Sequence, residues 1–140
     1  MQGYNLIAVY NHDKSCILMC KRRKNPYKGL SNLVGGKIEP GEKGEDAAYR
    51  ELCEETSITP DDIELTHFMD FTYHLHGIYF EVYAGKLKRE LNVKGDENEL
   101  YWSELNCDFY DSGLYAGEGN LGYIINQIKS HENKLLANKL

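Results

Sequence analysis

The sequence predicts a mixed α/β domain, on three observations. Short apolar runs bounded by turn formers lie on both sides of one strongly helical segment. A stretch crowded with Gly, Pro and Asn leads directly into that helix. No repeat, low-complexity tract or linker divides the 140 residues, of which 41% are hydrophobic and 27% charged, so residues 1–140 are read as one domain able to bury a core.

Taken in order, residues 4–10 and 16–20 are apolar runs separated by NHDKS, a cluster of turn formers, and predict a β-hairpin. The following stretch, KNPYKGLSNLVGGKIEPGEKG, is too rich in Pro and Gly for a helix interior or a central strand and is expected to be a loop. A helix is expected over residues 45–57, stopped at Thr59-Pro60, with a weak start at Lys43 and Gly44, where Ser or Asp would cap better. Residues 65–75 and 78–87, rich in Tyr, Phe, Val and Ile around His76-Gly77, predict a second, longer hairpin. After the polar KRELNVKGDENEL, Tyr101 and Trp102 begin a short strand, and the pattern of Tyr123, Ile124, Ile125 and Ile128 predicts a closing helix over residues 122–131.

Composition excludes several roles. With 16 basic against 22 acidic side chains and a net charge of −6, the chain lacks the concentrated basic surface that a nucleic-acid polymer requires. The short basic run from Lys21 to Lys24 is read as a solvated strand end or a local phosphate contact. No apolar stretch approaches the roughly 20 residues that span a bilayer, and the N-terminus has neither a basic leader nor an apolar core, so no membrane partner and a cytoplasmic location are expected. Cys16, Cys20, Cys53 and Cys107 form no C-x-x-C pair and are expected to be free thiols. His74 and His76 alternate along the expected strand, and without a third soft ligand nearby they are read as exposed rather than as a metal pair.

The chemistry concentrates in GKIEPGEKGEDAAYRELCEETSI, residues 36–58. At about 100° per residue, Glu51, Glu54 and Glu55 share one arc of the helix, whereas Tyr49, Leu52, Cys53 and Thr56 fall on the other side, expected to be buried. Carboxylates at spacings of three and four repel one another, which favours a cation between them. A solvated helix can carry an acidic face too. The preceding loop adds a reason for a ligand, because Gly35 and Gly36 allow close backbone approach and a free carbonyl there can act as a further hard ligand. Grouped oxygen donors of this kind suit Mg²⁺, with Mn²⁺ possible, and Mg²⁺ commonly shares its shell with substrate phosphates.

Gly36, Glu42, Arg50, Glu51, Leu52, Glu54, Glu55 and Ile58 stand in register with the signature G-x5-E-x7-R-E-U-x-E-E-x-G-U, U being aliphatic, so the segment resembles that of the Nudix hydrolase family. The departure is Ser57, where the family has the glycine that ends the helix in a left-handed turn. The resemblance implies an α/β/α sandwich, a mixed sheet between helices. It implies metal ligation by Glu51, Glu54, Glu55 and the Gly36 carbonyl, and an ion pair of Glu42 with Arg50 that fixes the loop. It also implies hydrolysis of a phosphoanhydride by activated water. Glu51 is the first choice of general base, with Asp96, Glu97 or Glu99 of a later loop as alternatives.

The loop PYKGLSNLVGGKIEPGE is similar to that of the MutT-like branch, which hydrolyses oxidised purine nucleoside triphosphates such as 8-oxo-dGTP. That likeness implies substrate contacts from Asn32, Gly35, Lys37, Tyr73 and Glu99, with the Asn32 amide facing the base. Ser31 and Leu33 depart from the residues usual beside that asparagine. Tyr73 also resembles a marker of the dinucleoside polyphosphate branch, and a non-catalytic nucleotide-binding module is the alternative of another class. The expected partner is therefore a small-molecule nucleotide substrate, and the expected state a monomer or homodimer.

Overall fold

The computed structural model describes residues 1–93, 95 and 97–138. Strand β1 (Gln2–Tyr10) runs parallel to β5 (Ile78–Lys86), from the pair Gln2 and Ile78 to the pair Tyr10 and Lys86. Strand β4 (Thr66–Tyr73) lies antiparallel outside β5, with a bulge between His67 and Met69. On the other side, β2 (Cys16–Lys21) pairs antiparallel with β6 (Glu99–Glu104) and with β3 (Ser31–Asn32).

The first expected hairpin is reduced to its end, because β1 and β2 are in register only at Tyr10 and Ile17. Beyond that pair they separate, and the glycine-rich segment enters the gap. Ile7, Asn5 and Ile38 donate their N–H groups to the carbonyls of Val34, Gly36 and Gly3 at 2.8, 2.9 and 2.9 Å. The expected loop is therefore bonded along β1 as a strand would be, and buried backbone groups of β1 find their partners there. The second hairpin forms as expected, but His74 to Gly77 make its turn, so the two histidines do not alternate on a strand face.

Period-two alternation sorts the strand side chains to two faces. Ile7, Val9, Leu18 and Tyr83 pack with Ala48, Leu52, Ile58 and Ile63, under helix α1 (Gly44–Thr56). Ala8, Met19, Val82 and Ala84 pack with Leu121, Ile124, Ile125 and Ile128 of helix α2 (Asn120–Ser130). A short α3 (Glu132–Leu135), absent from the sequence expectation, adds Leu135 to that second cluster. The result is a mixed sheet between helices, the α/β/α arrangement the motif implied. Among the described residues no helix is long and apolar enough to cross a membrane.

Helix α1 buries Ala47, Ala48, Leu52 and Thr56. Cys53, expected on the buried side, is exposed. Tyr49 is half-buried because its hydroxyl must reach the Leu65 N–H, which donates to it at 2.9 Å. The helix starts without a side-chain cap at Lys43 and ends at Ser57, which takes the left-handed conformation (φ 68°) that the family assigns to glycine. Phe109 and Tyr115 belong to the core, whereas Tyr110 stays half-exposed and lies on Gly122 of α2.

Candidate active site

Three elements build the site: the segment after β3, helix α1 and the middle of β1. Gly36 approaches α1 so closely that a Cβ there would overlap the Glu51 carboxylate. Gly35 is also confined, since a Cβ there would overlap the Asn5 carbonyl, and its φ of 152° lies in the region that favours glycine. The Gly35 N–H donates to Glu55 Oε2 at 3.1 Å. The loop thus touches two of the three helix carboxylates through backbone alone.

Arg50 joins the remaining parts. Its Nε donates to Glu42 Oε2 at 2.7 Å and its Nη2 to Glu42 Oε1 at 2.9 Å, while Nη2 also reaches the Lys37 carbonyl at 3.0 Å. Its Nη1 donates to Glu51 Oε1 at 2.9 Å and to Glu54 Oε2 at 3.2 Å. These guanidinium bonds, with a further bond from the Glu39 N–H, hold the Glu42 carboxyl down to about 2.

Glu51 and Glu55 are pushed the other way. Burial raises the pKa of Glu51 against the opposing pull of Arg50, and burial raises that of Glu55 against the Gly35 N–H and the Asn98 side chain. Glu97 adds negative potential to both carboxylates, so the later loop does approach the site. Asn98 Oδ1 accepts the Arg23 N–H at 3.2 Å, which ties the end of the basic run to the same corner. Asp96, the other loop candidate, lies outside the described residues.

Among the described residues no three acidic, histidine or cysteine side chains stand ready as a metal cage. One Arg50 nitrogen bonds both Glu51 and Glu54, while Glu55 bonds to Gly35. The Gly36 carbonyl is not free as expected, for it accepts the Asn5 N–H and keeps one lone pair. The donors still fit a hard divalent cation. They are carboxylate and carbonyl oxygens, the Gly36 backbone is seated directly on one of them, and a cation would relieve the charge that burial penalises at Glu51 and Glu55.

The substrate contacts expected from sequence are scattered. Asn32 is half-buried and its Oδ1 accepts the Leu33 N–H at 2.8 Å, which leaves Nδ2 to donate. It pairs with Cys20 and so shares the α1 face. Lys37 is exposed beside the Arg50 contact. Glu99 does not join the carboxylates: it pairs with Lys21 and alternates with the half-buried Leu100 of the α1 face, so it lies on the other face, lining a pocket with Lys21, Ser31 and Tyr101. Tyr73 is likewise on the α2 face, bonded to Asn120 at the start of α2, so it and Asn32 are not brought together.

Around Tyr73 the structure assembles a group that the sequence reading missed. Phe71 stacks on Phe80 at 4.9 Å, Phe80 stacks on Tyr4 at 5.4 Å, and Tyr73 meets Phe80 edge-on at 6.1 Å. Each of these aromatics occupies an ordinary strand position, and only the parallel register of β1 with β5 brings Tyr4 to Phe80. Asn5 was missed as well, although a lone amide inside YNLIAVY was a visible signal.

Residues 2–106 match the NUDIX domain. The chain belongs to the Nudix family. It is 50% identical over 44 residues to an ADP-ribose pyrophosphatase of Methanocaldococcus jannaschii, an alignment covering 31% of this chain and 26% of that protein. It is 27% identical over 116 residues to the nucleoside triphosphatase NudI of Salmonella typhimurium, covering 73% of this chain and 82% of that one. Among solved structures, an Ap4A hydrolase of Caenorhabditis elegans superposes with a TM-score of 0.76 at 18% identity, covering 94% of this chain and 98% of the other. These matches make the Nudix fold and a hydrolase family secure, and divalent metal is the general habit of Nudix hydrolases.

Proposed function

We propose that this Nudix chain is a Mg²⁺-dependent pyrophosphohydrolase that cleaves a nucleoside triphosphate to a monophosphate and pyrophosphate, with an oxidised purine such as 8-oxo-dGTP as the preferred base. The observation that carries the reading is the contact of the Gly36 backbone with the Glu51 carboxylate, on the same helix arc as Glu54 and Glu55. A relative matched over 73% of the chain is named a nucleoside triphosphatase, which supports a triphosphate. In this reading the 140 residues form one catalytic domain, acting in the cytoplasm as a monomer or homodimer.

Glu51, Glu54, Glu55 and the Gly36 carbonyl would hold the cation. When bound, it would neutralise charge on the phosphoryl oxygens and acidify a water. Glu51, whose carboxylate is desolvated, accepts the proton of the attacking water as the new P–O bond forms and the bridging P–O bond breaks. Arg50 and Glu42 keep the loop seated on the helix, and the Gly35 amide orients Glu55. Asn32 offers Nδ2 to an acceptor on the base edge.

A product assay with Mg²⁺ on 8-oxo-dGTP, dGTP, the other common triphosphates, ADP-ribose and diadenosine polyphosphates tests the reading through kcat/KM. Preference for the oxidised triphosphate, yielding monophosphate and pyrophosphate, is the expected result. Preference for a dinucleoside polyphosphate would move the base site to the exposed Tyr73 ring on its aromatic group. Absence of turnover on every member would leave a nucleotide-binding module.

A further inference from the structure

Asn5 is 1% exposed, and the residues that follow it on its face of β1, Ile7 and Val9, are apolar. It holds Gly36 from both sides. Its own N–H donates to the Gly36 carbonyl at 2.9 Å, and its Oδ1 accepts the Gly36 N–H at 3.1 Å. Its backbone carbonyl also lies where a Cβ on Gly35 would fall. Asn5 therefore sits directly beneath the two glycines that meet Glu51 and Glu55.

The arrangement is not explained by packing. Asn5 Nδ2 is buried with no hydrogen-bond partner among the described residues, a desolvation cost that a leucine would avoid. Such a half-satisfied amide persists where its other half supplies something an apolar side chain cannot. Here that is the Oδ1 bond to Gly36, which completes a two-point grip on that residue, through its N–H and its carbonyl.

We infer that Asn5 is a positioning residue of the carboxylate site: its grip on Gly36 sets the Gly36 carbonyl and the Glu51 carboxylate at the separation in which both serve one divalent cation. This rests on the metal-dependent reading above. Asn5 touches neither the cation nor the substrate, and acts through Gly36 as an outer partner that orients a ligand.

The test is a Mn²⁺ titration without nucleotide, followed by water-proton relaxation, on the wild type and on Asn5→Ala, Asn5→Leu and Asn5→Asp, each with a thermal melt. Asn5→Asp keeps the shape and the Oδ1 acceptor, exchanges the unpaired donor for a second oxygen and carries a negative charge when ionised, so its affinity is compared only if its melt shows it folded. We expect Asn5→Ala and Asn5→Leu to bind Mn²⁺ about tenfold more weakly or worse, and Asn5→Asp to recover most of the affinity. In turnover, the alanine variant should need more Mg²⁺ than wild type to reach half its own maximal rate. Unchanged Mn²⁺ affinity in the folded alanine or leucine variant overturns the inference, as does an aspartate variant no tighter than alanine. Should alanine fail to fold, leucine carries the comparison, and failure of both makes Asn5 a residue of the fold alone. A wild type that binds no Mn²⁺ would instead remove the metal reading itself, and the inference with it.

Discussion

Arg50 and Glu42 face each other through two hydrogen bonds, Nε to Oε2 at 2.7 Å and Nη2 to Oε1 at 2.9 Å. Eight residues apart in sequence, they close the motif loop onto its own helix. A lysine cannot reproduce that fork, nor reach Lys37, Glu51 and Glu54 at the same time. Arg50→Lys is therefore expected to lower kcat/KM by about tenfold or more and to lower the melting temperature, both measured on the same preparation.

Glu54 is the most exposed of the three helix carboxylates and bonds only to Arg50 among the described residues. Glu54→Gln should cost at least about a hundredfold in kcat, as removal of a metal ligand does, with a melting temperature within a degree or two of wild type. Full activity in that variant would remove Glu54 from the site.

Gly36 and Gly44 each have a glutamate carboxylate where a side chain of their own would lie. A Cβ at Gly36 would overlap the Glu51 carboxylate, whereas one at Gly44 would overlap the carboxylate of Glu81 on β5. Gly36→Ala, which must push the Glu51 carboxylate aside, is expected to abolish turnover while the chain remains folded, whereas Gly44→Ala, which displaces only the end of the Glu81 side chain, should leave turnover near wild type. Circular-dichroism melts beside a turnover assay separate the two.

Ser57 holds a left-handed conformation that a side chain disfavours by about 1 kcal/mol. Its N–H still closes the helix on Cys53 O at 2.9 Å, so the exit geometry is that of a glycine cap. Ser57→Gly should raise stability by at most about 1 kcal/mol in urea denaturation, with kcat unchanged.

Acid should loosen the turn after α1. Asp62 is buried, and its Oδ2 accepts from Thr59 N at 2.9 Å and Thr59 Oγ1 at 3.0 Å while Oδ1 pairs with Arg89. The Thr59 N–H, chiefly, holds its pKa below 3.8, with Arg89 and Lys88 acting in the same direction. A lowered folded-state pKa contributes stability above the unfolded value and loses it as pH falls through the folded one. Between pH 4 and pH 2, wild type should thus lose stability more steeply than Asp62→Asn, measured by urea melts across that range.

Strands β1, β2, β4, β5 and β6 and both long helices were legible because apolar period and turn chemistry mark them locally, as in residues 66–73 and 78–86, whereas the two-residue β3 lay hidden in the expected loop. The carboxylate arc was legible for the same reason, since Glu51, Glu54 and Glu55 need only the helical repeat to come together. What stayed hidden depends on distant pairing. Asn5 meets Gly36 only because β1 and β2 part after a single pair, and Tyr4 meets Phe80 only through the parallel register. Cys53 escaped the buried face because the contact stripe of α1 is narrow, running through Ala48, Leu52 and Thr56 at four-residue steps. The face that Glu99 takes was hidden for want of its register against Lys21.

The bonding of residues 34–38 along β1 makes the motif loop part of the sheet's own ladder. Amide exchange at Asn5, Ile7 and Ile38 should accordingly slow to the rate of global opening, in one cooperative unit with the central strands. Where other catalytic loops melt first and leave an inert but folded body, site and fold should here be lost in a single event.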